Sequence, residues 1–153
     1  MRTLAAFVVA ACLATVGCHA GAKLDTPSGF ATLDRTDDFS YRAANARGVV
    51  LATRTEANDV SGNAEFWTDA LDEAMQQKGY GRATRKAVRT QKGLTGTQLQ
   101  YETSRNGREH RYWLTVFATK SKVYVVEAAG DKEPFDKAKD TIDKAIASLD
   151  ASS

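Results

Sequence analysis

His110 is the single histidine beyond residue 19, and it stands in the run Arg108-Glu109-His110-Arg111-Tyr112-Trp113. An imidazole serves as a general base when a partner orients it and a substrate proton lies within hydrogen-bond reach. In an extended run Glu109 projects to the opposite face from His110. The sequence therefore predicts a surface or strand-pairing histidine, with no metal and no catalytic role. Asp37-Asp38 and Asp72-Glu73 are carboxylate pairs in settings that read as exposed, without the cleft that a glycosidase dyad needs. No Gly-x-Ser-x-Gly elbow and no glycine-rich phosphate loop occurs, and Gly93-Leu94-Thr95-Gly96 reads as a turn. No catalytic residue and no cofactor is expected. The strongest charged feature is Arg82, Arg85, Lys86, Arg89 and Lys92, followed by Arg105, Arg108 and Arg111. If adjacent strands align them, Arg82, Arg85, Arg89, Arg108 and Arg111 form a patch suited to phosphate or carboxylate groups. Solvated strand faces and charge-protected edges are the plainer alternative. Trp67 and Trp113 could stack on a sugar or peptide, yet each falls on an apolar stripe and is assigned to the core.

The chain opens with one positive charge, Arg2, and then runs uncharged through residues 4–16 before Gly17-Cys18-His19, the layout of a signal peptide. As a helix, residues 4–17 would cover about 21 Å, short of a hydrocarbon layer of about 30 Å. Leu13-Ala14-Thr15-Val16-Gly17-Cys18 resembles a bacterial lipoprotein lipobox, with Thr15 where leucine is usual. The resemblance implies cleavage before Cys18 and lipid on its thiol and new amino group. Pairing of Cys18 with Cys12, or a signal cleaved farther on, are the competing readings. Cleavage at Cys18 removes Cys12 and leaves a chain with no cysteine pair, held by its core alone. His19 follows where aspartate would suggest inner-membrane retention, which points to the periplasmic face of the outer membrane. Of the 21 lysines and arginines only Arg2 precedes Cys18, so against 19 acidic residues the mature chain carries +1. Nothing in that balance steers it to nucleic acid.

The elements that must carry these side chains follow from hydrophobic period. Composition, 42% hydrophobic and 26% charged, excludes extended disorder and leaves one globular domain. Residues 1–17 are read as the signal, 18–29 as lipidated cysteine and flexible tether, and 30–153 as the domain. Residues 39–44 and 49–55 alternate around Asn45-Ala46-Arg47-Gly48 and form a hairpin. Residues 63–78 place Phe66, Trp67, Ala70, Leu71, Ala74 and Met75 at helical spacing, with Asn63 as N-cap and Gly79 as stop. Residues 82–90, 96–103, 108–119 and 122–129 form a meander, and residues 134–149 close with a second amphipathic helix. Both parities are apolar in residues 112–118 and 123–129, so those strands must be covered on both faces. The expectation is an α+β fold, an antiparallel sheet of about six strands with a helix on each face; residues 30–33 would add a short strand.

This order resembles the Mog1/PsbP-like α/β sandwich superfamily, over roughly residues 30–149. Phe39-Ser40-Tyr41-Arg42, Gly48-Val49-Val50-Leu51-Ala52, Glu65-Phe66-Trp67, Gly79-Tyr80, the 93–96 turn, residues 112–117 and 123–130, and Phe135 carry the resemblance. It implies non-enzymatic binding or assembly factors, a nuclear transport accessory in one branch and a photosystem subunit in another, and transfers no functional residue. The expected function is that of a lipid-anchored envelope protein, a non-catalytic binding or accessory module for a protein, peptide or envelope glycan. Its partners would be the membrane, through the N-terminal lipid, and an envelope protein or peptide. An envelope hydrolase with a scattered site, and a secreted inhibitor presenting residues 90–95 or 104–108 as a protruding loop, are the alternatives.

Overall fold

The computed structural model describes residues 21–151. Residues 1–17, expected to be a signal segment, and Cys18 lie outside the described residues. In chain order the elements are β1 (Phe30–Thr32), β2 (Tyr41–Asn45), β3 (Val50–Ala57), α1 (Ala64–Gln77), β4 (Thr84–Arg89), β5 (Thr95–Arg105), β6 (Arg108–Ala118), β7 (Lys122–Asp131) and α2 (Lys132–Ala147). The strands form one antiparallel sheet in the order β1-β2-β3-β7-β6-β5-β4. The sheet has seven strands rather than six because Phe30–Thr32 pairs with β2. Three residues are too few to display an alternation, so only pairing makes them a strand.

The two-sided apolar pattern of the middle strands has the expected cause. Trp113 and Phe117 of β6, with Tyr124 and Val126 of β7, pack under α2 against Phe135, Ile142 and Ile146. Leu114, Val116, Val123 and Val125 point the other way and pack under α1 with Leu99, Tyr101 and Met75. No helix among the described residues is long and apolar enough to cross a membrane. At the β5–β6 crossing Gly96 permits close contact, since a Cβ there would stand 2.3 Å from the Val116 carbonyl and 2.5 Å from the Phe117 ring.

Helix α1 is capped as its sequence indicates. The Asn63 side chain accepts from the Phe66 N–H at 2.8 Å. At the other end Gly79 (φ +90°) lets its own N–H reach the Gln76 carbonyl and the Tyr80 N–H the Met75 carbonyl, a Schellman closure. The inward stripe, however, is rotated from the one read in the sequence. Thr68, Asp72 and Met75 are buried, spaced four and three, while Phe66 is 51% exposed. Polar residues can turn inward here because each finds a partner: Thr68 Oγ1 donates to the Ala64 carbonyl, and Asp72 is bonded by Tyr101 and Arg85. Asp72 is therefore buried, not the exposed carboxylate expected.

The N-terminal boundary also moves. Residues 21–29 were expected to be tether, yet Ala22 and Leu24 are 4% and 7% exposed within the α2-side core. Lys23 pairs with Asp150, and the Asp25 N–H donates to Ser148 Oγ at 2.9 Å. Two apolar residues alternating with Lys23 and Asp25 are too short a pattern to announce a strand. The folded unit thus reaches back at least to Gly21. One end of the sheet, the upper, carries the 45–48 and 105–108 turns and the start of α2. The lower end carries the start of α1, the end of α2 and, joined to it, residues 23–25.

Candidate functional site

The five candidate arginines do not converge. Register aligns Arg85 of β4 with Leu99 of β5 and Leu114 of β6, so Arg85 lies on the α1 face. There it bonds Asp69 at 2.6 Å and Asp72 at 3.0 Å, fastening the edge strand to α1. Arg111 has the opposite parity to Leu114 and lies on the α2 face, bonded to Asp136 of α2 and to Glu102 of β5. Arg89 donates to the Gly93 carbonyl across the β4–β5 turn, and Arg82 is exposed ahead of β4. Arg108 and Arg111 both lie toward the upper end, but on opposite faces of β6 and each on its own carboxylate, Asp131 and Asp136.

That upper end holds an open cleft. Its volume is about 860 Å3, and it is lined by Arg47, Arg108, Glu109, Asp131, Lys132, Glu133, Pro134, Asp136 and Lys137. These come from the β2–β3 turn, the start of β6 and the β7–α2 junction, segments that only the folded sheet brings together. Pro134 sits in the first helical turn, where a missing N–H removes no helical bond. Four cations face four carboxylates, and they are already paired: Arg47 with Glu133 at 4.0 Å, Arg108 with Asp131 at 3.2 Å, Lys132 with Glu109 at 2.8 Å and Lys137 with Glu133 at 2.6 Å. Hydrogen bonding from Arg111 holds the Asp136 carboxyl below the usual range, and bonding from Lys137 does the same for Glu133. Exposed pairs of this kind are screened by solvent and add little to stability, so exchanging one partner for a ligand's charge costs little. A surface with no net charge and easily exchanged ion pairs suits a ligand that presents both signs.

His110 lies beside this cleft, in a recess of about 440 Å3 with Arg105, Asn106, Arg108 and Asp131. Its side chain is 14% exposed, with Nδ1 3.5 Å from Asp131 Oδ1. Glu109 turns away to Lys132, as parity requires. The His110–Asp131 pair supplies an imidazole and an orienting carboxylate, but among the described residues no hydroxyl bonds the imidazole as a nucleophile would. Nor does any group of three or more His, Cys, Asp or Glu there stand ready to hold a metal ion. Trp113 is buried, edge-on to Phe135 at 4.9 Å, and Trp67 is half-buried with its Nε1 donating to Asn58 Oδ1 at 2.9 Å. Neither forms a stacking platform. The two loops considered for inhibition are both tight turns. Residues 90–94 close on themselves, with Thr90 and Leu94 bonded and Gln91 tied to Ala147. Asn106 and Gly107, both at positive φ, make a two-residue hairpin turn.

A second polar grouping, not foreseen from sequence, lies under α1. Tyr80, Tyr101 and Tyr112 pack with ring centroids 5.5–6.4 Å apart. Tyr101 donates to Asp72 at 2.7 Å and Tyr112 to Glu127 at 2.6 Å, and Arg54 lies 3.3 Å from the same Glu127. Burial first, then the bond to a carboxylate, pushes both phenols well above their ordinary value. Burial would raise Asp72, but the bonds from Tyr101, Arg85 and Gln76 together hold it low. These groups are tied to one another, which makes the cluster a fastening of α1 to the sheet. The spacing of Thr68, Asp72 and Met75 was the sequence signal that could have revealed it.

No family model matches the chain and no curated protein matches it in sequence. Solved structures do match. The cyanobacterial PsbP (CyanoP) of Synechocystis superposes with a TM-score of 0.58 at 13% identity, covering 85% of this chain and 86% of that one. LpqN of Mycobacterium tuberculosis, a protein involved in cell envelope biogenesis, gives 0.60 at 12% identity over 84% of both chains. PA94 of Pseudomonas aeruginosa, of unknown function, gives 0.52 at 13% identity, over 84% of this chain and 86% of that one. With seven antiparallel strands and a helix on each face, the chain has a Mog1/PsbP-like fold.

Proposed function

We propose that this chain is a lipid-anchored accessory module of the cell envelope that binds, without catalysis, a protein or peptide of mixed charge at the upper cleft. The observation that carries this reading is the cleft itself, open and lined by four cations and four carboxylates that are held in exposed ion pairs. Polyanions such as nucleic acid gain nothing from a site without net charge. A folded partner presenting both signs can take over these pairs one for one and gain specificity of orientation. The lipobox-like run ending at Cys18 supplies the address, and LpqN's role in envelope biogenesis is compatible with it. Anchoring at the periplasmic face of the outer membrane would raise the concentration of the module near its partners, which favours a binder of modest affinity.

The test is cross-linking capture from intact envelopes by the native chain, by Cys18→Ala and by an Arg108→Glu/Lys137→Glu double variant. The reading expects one partner, retained with an Arg82→Glu control and lost when the cleft charges are reversed, while Cys18→Ala releases the protein from the membrane. Capture that survives the double reversal would remove the cleft from the reading. Turnover of envelope material that stops with His110→Ala would replace it with a hydrolase.

A further inference from the structure

Among the described residues the two most exposed large apolar side chains, Val60 at 64% and Phe66 at 51%, both belong to the lower end. Register fixes that placement. Ala57 pairs with Lys122, and the Asn58 N–H donates to the Ser121 carbonyl, so the segment carrying Val60 leaves the sheet beside the β6–β7 turn and leads into α1. The exposure is built in. Asn58, itself 4% exposed, makes four side-chain bonds: Nδ2 to the carbonyls of Gly62 and Thr119, and Oδ1 from Gly62 N–H and Trp67 Nε1. Gly62 leaves room for the Phe66 ring, since a Cβ there would stand 2.5 Å from Phe66 Cδ1. The ring is thus propped on the loop and edge-on to Trp67 rather than turned into the core.

The chain enters the fold at the foot of β2, level with the middle of β3, and its next residues run to the lower end, where Lys23 pairs with Asp150. Gly21 is wedged against Ser40, where an added Cβ would lie 2.5 Å from the serine Cβ, and the Ser40 N–H bonds the Thr53 carbonyl. Only three peptide steps separate Gly21 from Cys18, a contour of at most about 11 Å. An anchor held on so short a connection keeps the lower end against the surface that bears it. Nearby charges do not favour an anionic surface, since Asp37, Asp38 and Asp59 outnumber Lys23 and Lys120. Attraction to anionic lipid is not the driving force; the short connection and the apolar side chains are.

We propose that the lower end is a membrane-apposed surface, with Val60 and Phe66 entering the headgroup layer of the bilayer that carries the anchor. The inference rests on the lipid-anchored reading of Cys18. It orients the whole domain: β7, ten residues long, spans about 33 Å, so the upper cleft is presented roughly that far from the membrane.

The experiment uses the full, natively processed chain in vesicles of phosphatidylethanolamine and phosphatidylglycerol. An environment-sensitive fluorophore is placed at Val60→Cys, Phe66→Cys or Asn106→Cys and quenched by lipids spin-labelled near the headgroup. An acylated Cys18 leaves the introduced thiol as the reactive one. Several-fold stronger quenching at 60 and 66 than at 106, little changed by salt, is expected. Equal quenching at 60 and 106 on a vesicle-bound chain overturns the orientation while leaving the anchor intact. A chain that fails to float with vesicles and carries no lipid mass at Cys18 overturns the anchored reading, and the orientation with it. Shielding at 60 only in native envelopes, without lipid quenching, assigns this end to a protein partner instead. Val60→Cys decides the matter if Phe66→Cys disturbs the loop, because its side chain is the more exposed.

Discussion

Replacing Asn58 tests whether one buried amide locks the β3–α1 loop to the β6–β7 turn. All four of its bonding sites are used, at 2.7–2.9 Å, and the residue is 4% exposed. Asn58→Ala leaves the Gly62 and Thr119 carbonyls, the Gly62 N–H and the Trp67 indole N–H without that partner. At about 1 kcal/mol net for each bond, the loss is about 3–4 kcal/mol, a large share of a typical domain stability of about 5–15 kcal/mol. Asn58→Asp keeps the two accepted bonds but turns a carboxylate toward two carbonyl oxygens. The folded state then favours the protonated acid, so its carboxyl is raised above the unfolded value of about 3.9. Stability contributed by a raised group is present below the unfolded value and is lost as pH climbs through the folded one. The deficit of Asn58→Asp relative to the native chain must therefore shrink on acidification toward pH ~4. Urea unfolding followed by the fluorescence of Trp67 and Trp113 measures both effects. Asn63→Ala, which removes a single N-cap bond worth about 1 kcal/mol, is the reference. If Asn58→Ala costs no more than that reference, or the deficit of the aspartate variant ignores pH, the locking argument fails.

Leu24→Ala should lower stability by about 2–3 kcal/mol, because the side chain lies within the α2-side core; a tether residue would give no change in the urea midpoint. Gly96→Ala forces a methyl against the Val116 carbonyl and the Phe117 ring and should cost about 1–3 kcal/mol or more, seen as a drop in melting temperature. Tyr101 and Tyr112 are raised in the folded chain, so their contribution is intact below the unfolded phenol value of about 10 and declines as pH rises above it. Phenolate absorbance should accordingly appear for these two only together with loss of secondary structure; early, reversible ionisation of all five tyrosines would contradict their burial.

Much of the fold is readable because parity and period are local properties. Tyr112, Leu114 and Val116 against Trp113 and Phe117 state in one stretch that β6 is covered twice, and α2 is where they require it. The rotation of α1 was hidden by chemistry from elsewhere in the chain. Thr68 and Asp72 look like outward residues until Tyr101 and Arg85, supplied by β5 and β4, give them partners. The arginines show the same dependence on register. Arg85 and Arg111 belong to one meander, yet the pairing of Arg85 with Leu99 and of Leu99 with Leu114 puts them on opposite faces. The upper cleft draws on residues 47, 108–109 and 131–137, which no local pattern unites.

The bond from Asp25 to Ser148 joins positions 123 residues apart, and Lys23 and Asp150 meet just beyond it. Closing a loop of that size carries an entropy cost of about 4 kcal/mol beyond a constant, and contacts so distant in sequence form slowly. The residues nearest the start of the domain therefore have no seat until residues 142–151 have arrived. A chain whose last residues are still missing lacks the strand and helix that complete its α2-side core. Closure of this kind comes late, so the last step of folding draws together two segments from opposite ends of the described domain.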